Sequence, residues 1–536
     1  MQRNGRFFLK LILLPAFLVL AALTGCEKEK PDNGTTLPFE RLRKDLSVQS
    51  SLLNRAINYA VLLPPEYEHG QDTYPVVYLL HGFGDNEKAW YQGGNIRYYA
   101  DQYAGETGPV IYVMPQGFNT YWVNKYSGTY PYMDMLINEL MTAVESEFRI
   151  KKEASQRAVM GYSMGGYGAL IMAAKNPEVF KTAVVLSMSF RTDAQYLNEP
   201  QGVFDSQWGT VFGGMGKSGN DRLTPYFLGY SPFHFFMDPG DPSCSGQHYF
   251  IDCGDDEESL SETNDAMHLL MRDKGINHEY RVRNGAHTWD YWHKSLPEAF
   301  RFIGYAFRNL PYPDKGDDTF QDEQVPAARI YSHFTEETQQ PFHVMVPEGY
   351  TTEGNAYPVI YILHDRSAGM EQEESAALLA RMDAGISGLR LPKSLIVEIP
   401  AGDDILSLET LGRIKEMVNL EYRVKTEGKF AVIAGNGGAG ATLYTLLPEL
   451  GDLFNACLLF DAELPSGASM TGTDMACYLD ITDQGNNYQP YHSFYLSLRQ
   501  QQIPHEYRVR QGLSSHGSFL AGLSEASVFI KDNLKK

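Results

Sequence analysis

Short apolar runs recur along the chain, with longer amphipathic stretches between them. "PVVYLL" (75–80), "PVIYVM" (109–114), "RAVMG" (157–161) and "HYFIDCG" (248–254) are apolar at successive positions, without the alternation of a half-exposed strand. Runs of this length predict strands buried on both faces, as in a parallel sheet covered by helices. Between them, "YMDMLINELMTAVESEF" (132–148) and "SETNDAMHLLMRDKG" (261–275) space their apolar residues at helical intervals, the second opening on serine and stopping at glycine. Strand and helix alternating in this way predict a mostly parallel, doubly wound α/β arrangement.

The pattern is written twice. "YPVVYLLHG" from Tyr74 is matched by "YPVIYILHD" from Tyr357, "EFRIK" from Glu147 by "EYRVK" from Glu421, and "AVMGYSMGGYGAL" from Ala158 by "AVIAGNGGAGATL" from Ala431. The hexamer "HEYRVR" is identical at 278–283 and 505–510. Matches in the same order predict two tandem copies of one α/β fold. The first copy is longer between its glycine turn and the hexamer. The extra segment, 190–236, is rich in aromatics and glycine and reads as an insertion over a site. The expected boundaries are a first domain at 46–310, a polar and acidic linker at 311–327, and a second domain at 328–536.

The N-terminus departs from this pattern. Arg3, Arg6 and Lys10 precede an apolar run from Leu11 to Leu23 that is too short for a permanent membrane span. The run ends in "LTGC", which resembles the lipobox of bacterial lipoproteins and implies that residues 1–26 are a signal whose Cys26 is acylated. Residues 27–45 then read as a flexible tether. The expected location is a bacterial membrane-anchored lipoprotein, periplasmic or at the cell surface, touching the membrane through its lipid only.

Composition narrows the partners. Of 536 residues, 43% are hydrophobic and 12% aromatic, as in a folded globular chain. The formal net charge of −21 repels polyanions, so no nucleic-acid partner is expected. Besides Cys26 there are Cys244, Cys253, Cys457 and Cys477. Cys244 and Cys253 could close a short disulfide loop, and buried free thiols are the alternative. No metal-ligand spacing stands out, so no metal and no cofactor are expected.

The chemistry concentrates in the first copy. Gly161-x-Ser163-x-Gly165 lies between the strand "RAVMG" and an apolar helix, the context of a nucleophile elbow that holds a serine hydroxyl out at the sheet edge. The Met164 amide, at the helix start, would face a developing oxyanion. "HGFG" (81–84) leaves an earlier strand, and its glycines would let the Phe83 amide serve as second donor. His287, in the loop after "HEYRVR", is the expected base, with His81, His278 and His293 structural. The orienting acid should follow the strand "HYFID". Asp255, Asp256 and Glu257 all sit just past it, and the sequence does not separate them. Among the five tryptophans, all in the first copy, Trp90 and Trp208 are the candidates for stacking on a sugar or an aromatic acid.

"LLHGFGDNEKAW", "GYSMGGYGAL", "IDCGDDE" and "GAHTWDYW" together resemble the esterase D and feruloyl esterase group, carbohydrate esterase family one, within the α/β-hydrolases. The resemblance implies a serine esterase that removes feruloyl or acetyl groups from plant polysaccharides or oligosaccharides, with no cofactor. It puts the nucleophile on Ser163, the base on His287, and the oxyanion donors on Phe83 and Met164. The family's acid falls on position 257, where an aspartate is usual and this chain has glutamate. A one-residue loop shift would favour Asp256, with Glu257 kept beside it. Other ester or lactone hydrolysis, acyl transfer, and a surface glycan-binding pseudo-esterase are the rival readings. In the second copy Ser163 is matched by Asn436, "HGFG" by "HDRS" (364–367) and His287 by Ser514, with His516 two places on. That copy is expected to be degenerate and non-catalytic.

Overall fold

The computed structural model describes residues 40–534 apart from 239, 241–244, 258, 314–319, 336–338, 368, 402–405 and 470–474. The signal segment with Cys26, most of the expected tether, and Cys244 lie outside the described residues. Among the described residues no helix is long and apolar enough to cross a membrane.

The apolar runs form strands where the pattern places them. β1 (Leu42–Ser50) and β2 (Arg55–Leu62) are an antiparallel edge pair, followed by β3 (Val76–Leu80), β4 (Ile111–Pro115), β5 (Arg157–Tyr162), β6 (Thr182–Leu186), β7 (His248–Gly254) and β8 (His278–Arg283). β3 to β8 are mutually parallel in the order β4-β3-β5-β6-β7-β8. β1 begins inside the stretch read as tether. Its partly alternating sequence "LRKDLSVQS" suits an edge strand, and β2 supplies the pairing.

The second half repeats the order. β9 (Ile330–Phe334) and β10 (Pro341–Met345) pair antiparallel, and β11 (Val359–His364), β12 (Leu395–Pro400), β13 (Ala431–Asn436), β14 (Ala456–Phe460), β15 (Ala476–Thr482) and β16 (His505–Arg510) run parallel. β8 and β16 meet antiparallel at Val282 and Val509, so one sixteen-stranded mixed sheet, flanked by helices, runs through both halves. The two identical hexamers are thus the strands at the junction.

Reciprocal ion pairs tie this junction. Arg281 Nη1 reaches Asp483 Oδ2 at 2.7 Å, and Arg508 Nη1 reaches Asp255 Oδ2 at 2.5 Å. Both arginine side chains are almost wholly buried, so they depend on such partners. Each half keeps its own apolar core: Val77, Met160 and Phe250 pack with Phe300 and Ile303 in the first, and Ile360, Val432 and Leu458 with Phe519 and Ile530 in the second. Cys253, Cys457 and Cys477 are buried free thiols.

Candidate active site

The elbow follows from two glycines. Ser163 sits between β5 and the helix Met164–Lys175 with φ 58° and ψ −122°, a conformation that a non-glycine residue holds only under constraint. A Cβ on Gly161 would lie 2.1 Å from the Gly165 carbonyl oxygen, and one on Gly165 would lie 2.3 Å from that of Leu80. No larger residue fits either position. The turn is held by the Ser163 amide donating to Leu186 O at 2.9 Å and by the Ser189 amide donating to Ser163 O at 3.0 Å. Met164 occupies the first helical position, where a backbone N–H has no intrahelical acceptor.

The loop that leaves β3 lies against this turn. A Cβ on Gly82 would come within 3.3 Å of Ser163 Cβ, so the backbone beside Phe83 passes next to the serine. Gly84, at φ +85°, donates its amide to Asn119 Oδ1 at 2.8 Å, and Asp85 accepts the Tyr162 hydroxyl at 2.5 Å. Phe83 itself is 42% exposed. His81 is fully buried: its Nδ1 donates to Gly82 O (2.8 Å) and its Nε2 accepts the Gly117 amide (2.7 Å). Burial pushes its pKa down to about 4, so it stays neutral and fixes the loop.

His287 stands in the loop between β8 and the helix Trp289–Phe307 with about a third of its side chain exposed. Its Nδ1 lies 2.6 Å from Glu257 Oε2. Glu257 is buried, and its Oε1 accepts the Gly254 amide (2.9 Å) and the Ser187 hydroxyl (2.5 Å). Ser187 in turn accepts the Trp292 indole N–H at 2.8 Å. The Trp292 ring meets the His287 ring edge-on at 5.1 Å and the Tyr162 ring at 4.3 Å, linking the histidine loop to the residue before Ser163. Sequence reasoning missed Ser187 and Trp292; a serine after a strand and a tryptophan in a helix carry no signal that they support a carboxylate.

Three sequence expectations are corrected. Asp256 is exposed and does not meet His287; the carboxylate at the histidine is that of Glu257, because the turn from Gly254 directs position 257 inward. Trp90 is buried (1% exposed), donating its indole N–H to Leu80 O at 3.1 Å and packing on Tyr162 and Trp289. It supports the end of β3 and offers no face to a ligand. Trp208 is also fully buried, between Tyr121 and Arg191, where the 190–236 segment folds its own aromatic cluster onto Tyr167 of the elbow helix. The remaining candidates are structural: His293 bonds Gly93 O, His278 bonds Ile276 O, and Asp252 accepts Tyr291 and Ser295 within the core.

At the matching place in the second half, Asn436 has ordinary extended dihedrals, φ −114° and ψ 158°. Its side-chain amide exchanges two 2.9 Å hydrogen bonds with the backbone of Asp365, and the Asp365 carboxylate accepts the Gly438 amide at 2.7 Å. The elbow is relaxed there, and the chain's own groups occupy its helix start.

Residues 50–303 match the family model described as "Putative esterase". An esterase of Mycobacterium tuberculosis is 37% identical over 164 residues, 28% of this chain and 35% of that protein, so the chain spans about a third of its length. An acetyl esterase of Caldicellulosiruptor saccharolyticus is 24% identical over 48% of this chain and 96% of its own. A feruloyl esterase D of Neurospora crassa is 23% identical over 53% and 95%. The segment that carries the serine elbow, the histidine and the carboxylate is thus the one similar to this esterase family and to the acetyl and feruloyl esterases.

Proposed function

We propose that the first half is a serine carboxylic-ester hydrolase that removes acyl groups, feruloyl or acetyl, from plant polysaccharides or their fragments. The observation that carries this is the strained Ser163 elbow on the same sheet edge as the His287–Glu257 pair at 2.6 Å. Ser163 Oγ attacks the ester carbonyl carbon while His287 Nε2 takes its proton, and Glu257 holds the Nδ1–H and stabilises the imidazolium. The Phe83 and Met164 amides receive the oxyanion. His287 then protonates the departing sugar oxygen, and a water activated by the same imidazole releases the acid. The acyl classes are drawn from the names of the acetyl and feruloyl esterases that resemble this chain.

In the same reading the molecule is two tandem α/β-hydrolase domains, the second a non-catalytic copy, anchored at a bacterial membrane through lipid on Cys26. The repeated strand order and the plugged site at Asn436 support the first point, and the "LTGC" sequence supports the second. The test is hydrolysis of p-nitrophenyl acetate and methyl ferulate by the protein beside Ser163→Ala. Activity that falls to background in the variant is expected. Equal rates in both proteins would overturn the proposal.

A further inference from the structure

We propose that the second half carries a divalent transition-metal site formed by His364, Glu374 and His516. His364 ends β11, Glu374 lies in the first turn of the helix Glu371–Ser387, and His516 opens the helix His516–Glu525. Each offers a ligand atom, and these atoms lie within 4.8 Å of one another.

The hydrogen bonding around them leaves lone pairs with nothing to do. His364 is fully buried, and its Nδ1 lies 2.8 Å from Glu398 Oε1, which also accepts the Ser375 hydroxyl at 2.5 Å. The proton therefore sits on Nδ1, and among the described residues Nε2 is a buried acceptor without a hydrogen-bond partner. Both ring nitrogens of His516 are likewise buried without a hydrogen-bond partner among the described residues, in a ring stacked 5.3 Å from His364. Glu374 Oε2 accepts the Ser367 amide N–H at 2.8 Å, which fixes its carboxylate at the cluster. Buried polar atoms are rarely left unsatisfied, and three imidazole nitrogens so placed call for a ligand.

The first half shows what the fold does otherwise. There the matching His81 uses both nitrogens on backbone groups, Gly82 O and the Gly117 amide, and keeps no lone pair. In the second half Nε2 of His364 is released, and a second histidine and a carboxylate are brought to it. Two imidazole nitrogens and one carboxylate oxygen suit Zn²⁺ or a similar borderline ion with one position left for water. The Glu398 carboxylate behind His364 orients the ring as carboxylates do behind metal-bound histidines.

The test is titration of the chelator-treated full chain with Co²⁺ or Zn²⁺ alone, read by bound metal per protein and by the Co²⁺ visible spectrum. His516→Ala and Glu374→Gln are compared after circular dichroism has shown that they are folded; His364, in the core strand, is left intact. The expected result is about one equivalent bound, with affinity about tenfold or more weaker in whichever variants are folded. Failure of the unaltered protein to bind either ion, or unchanged affinity in the folded variants, overturns the site.

Discussion

Glu257 Oε2 lies 2.6 Å from His287 Nδ1, while the other oxygen of the same carboxylate is held by the Gly254 amide and the Ser187 hydroxyl. The carboxylate is therefore oriented before it meets the imidazole. This fixes the histidine tautomer, with Nδ1 protonated and Nε2 free for a serine proton. Glu257→Gln keeps the shape and loses the charge, and its amide nitrogen can face Nδ1 and favour the wrong tautomer. We expect kcat to fall by roughly 10³–10⁴, with Asp256→Asn within about twofold of the unaltered enzyme. Steady-state hydrolysis of one activated ester by both variants decides it; the reverse ranking would return the acid to position 256.

Gly165→Ala should damage the fold as well as activity. The added methyl would meet the Leu80 carbonyl at 2.3 Å, and that backbone belongs to a central strand with little freedom to retreat. Overpacking of this kind costs ~1–3 kcal/mol or more. Thermal unfolding should show a clear drop in Tm, whereas Gly84→Ala, with nothing within 4 Å of its Cβ but φ at +85°, should show mainly backbone strain.

The placement of Ser163 and His287 is legible in the sequence because it depends on neighbouring elements: a serine between strand and helix, a histidine after the last strand of the first half. Glu257 was not separable from Asp255 and Asp256, because three adjacent carboxylates differ only in where a turn aims them. Here Asp255 is drawn to Arg508 across the junction, a partner distant in sequence. Trp90 and Trp208 are buried, which the sequence does not reveal: indole chemistry allows both a core and a stacking role, and burial is a tertiary property. The identical hexamers are visible in the sequence, but not that they lie side by side. The His364, Glu374 and His516 cluster has no local spacing to find, since three separate elements bring it together.

The junction pairs give a stability prediction. Arg281 reaches Asp483 at 2.7 Å, Glu279 at 2.6 Å and Glu298 at 2.8 Å, and its side chain is 4% exposed. Arg281→Met leaves these carboxylates without their common cation, and breaking a buried pair in this way costs about 3–5 kcal/mol. Denaturant unfolding of the variant measures the loss. A change below experimental error would mean that the junction contributes little to the stability of the whole.

His81 gives a pH dependence. Burial pushes it down to about 4, while in the unfolded chain it has the ordinary value of about 6.5. Between these values the unfolded state binds the extra proton, so stability is fully present above about pH 6.5 and is lost as pH falls toward 4. The contribution is on the order of 1 kcal/mol per pH unit across the window. Urea unfolding at several pH values should give a slope smaller by about that amount for His81→Asn. An identical slope would show that another group takes up the proton.

Restoring a serine in the second half should not restore a site. Asn436 has φ −114°, so a serine placed there inherits a relaxed extended backbone and not the left-handed turn that holds out Ser163. The Asp365 carboxylate already accepts the Gly438 amide, putting negative charge at the helix start where an oxyanion would need donors. Asn436→Ser in a Ser163→Ala background is therefore expected to leave p-nitrophenyl acetate hydrolysis at the level of Ser163→Ala alone. Turnover regained by the double variant would mean that the second half had lost only its nucleophile, and that backbone strain at the elbow is not required for ester attack in this fold.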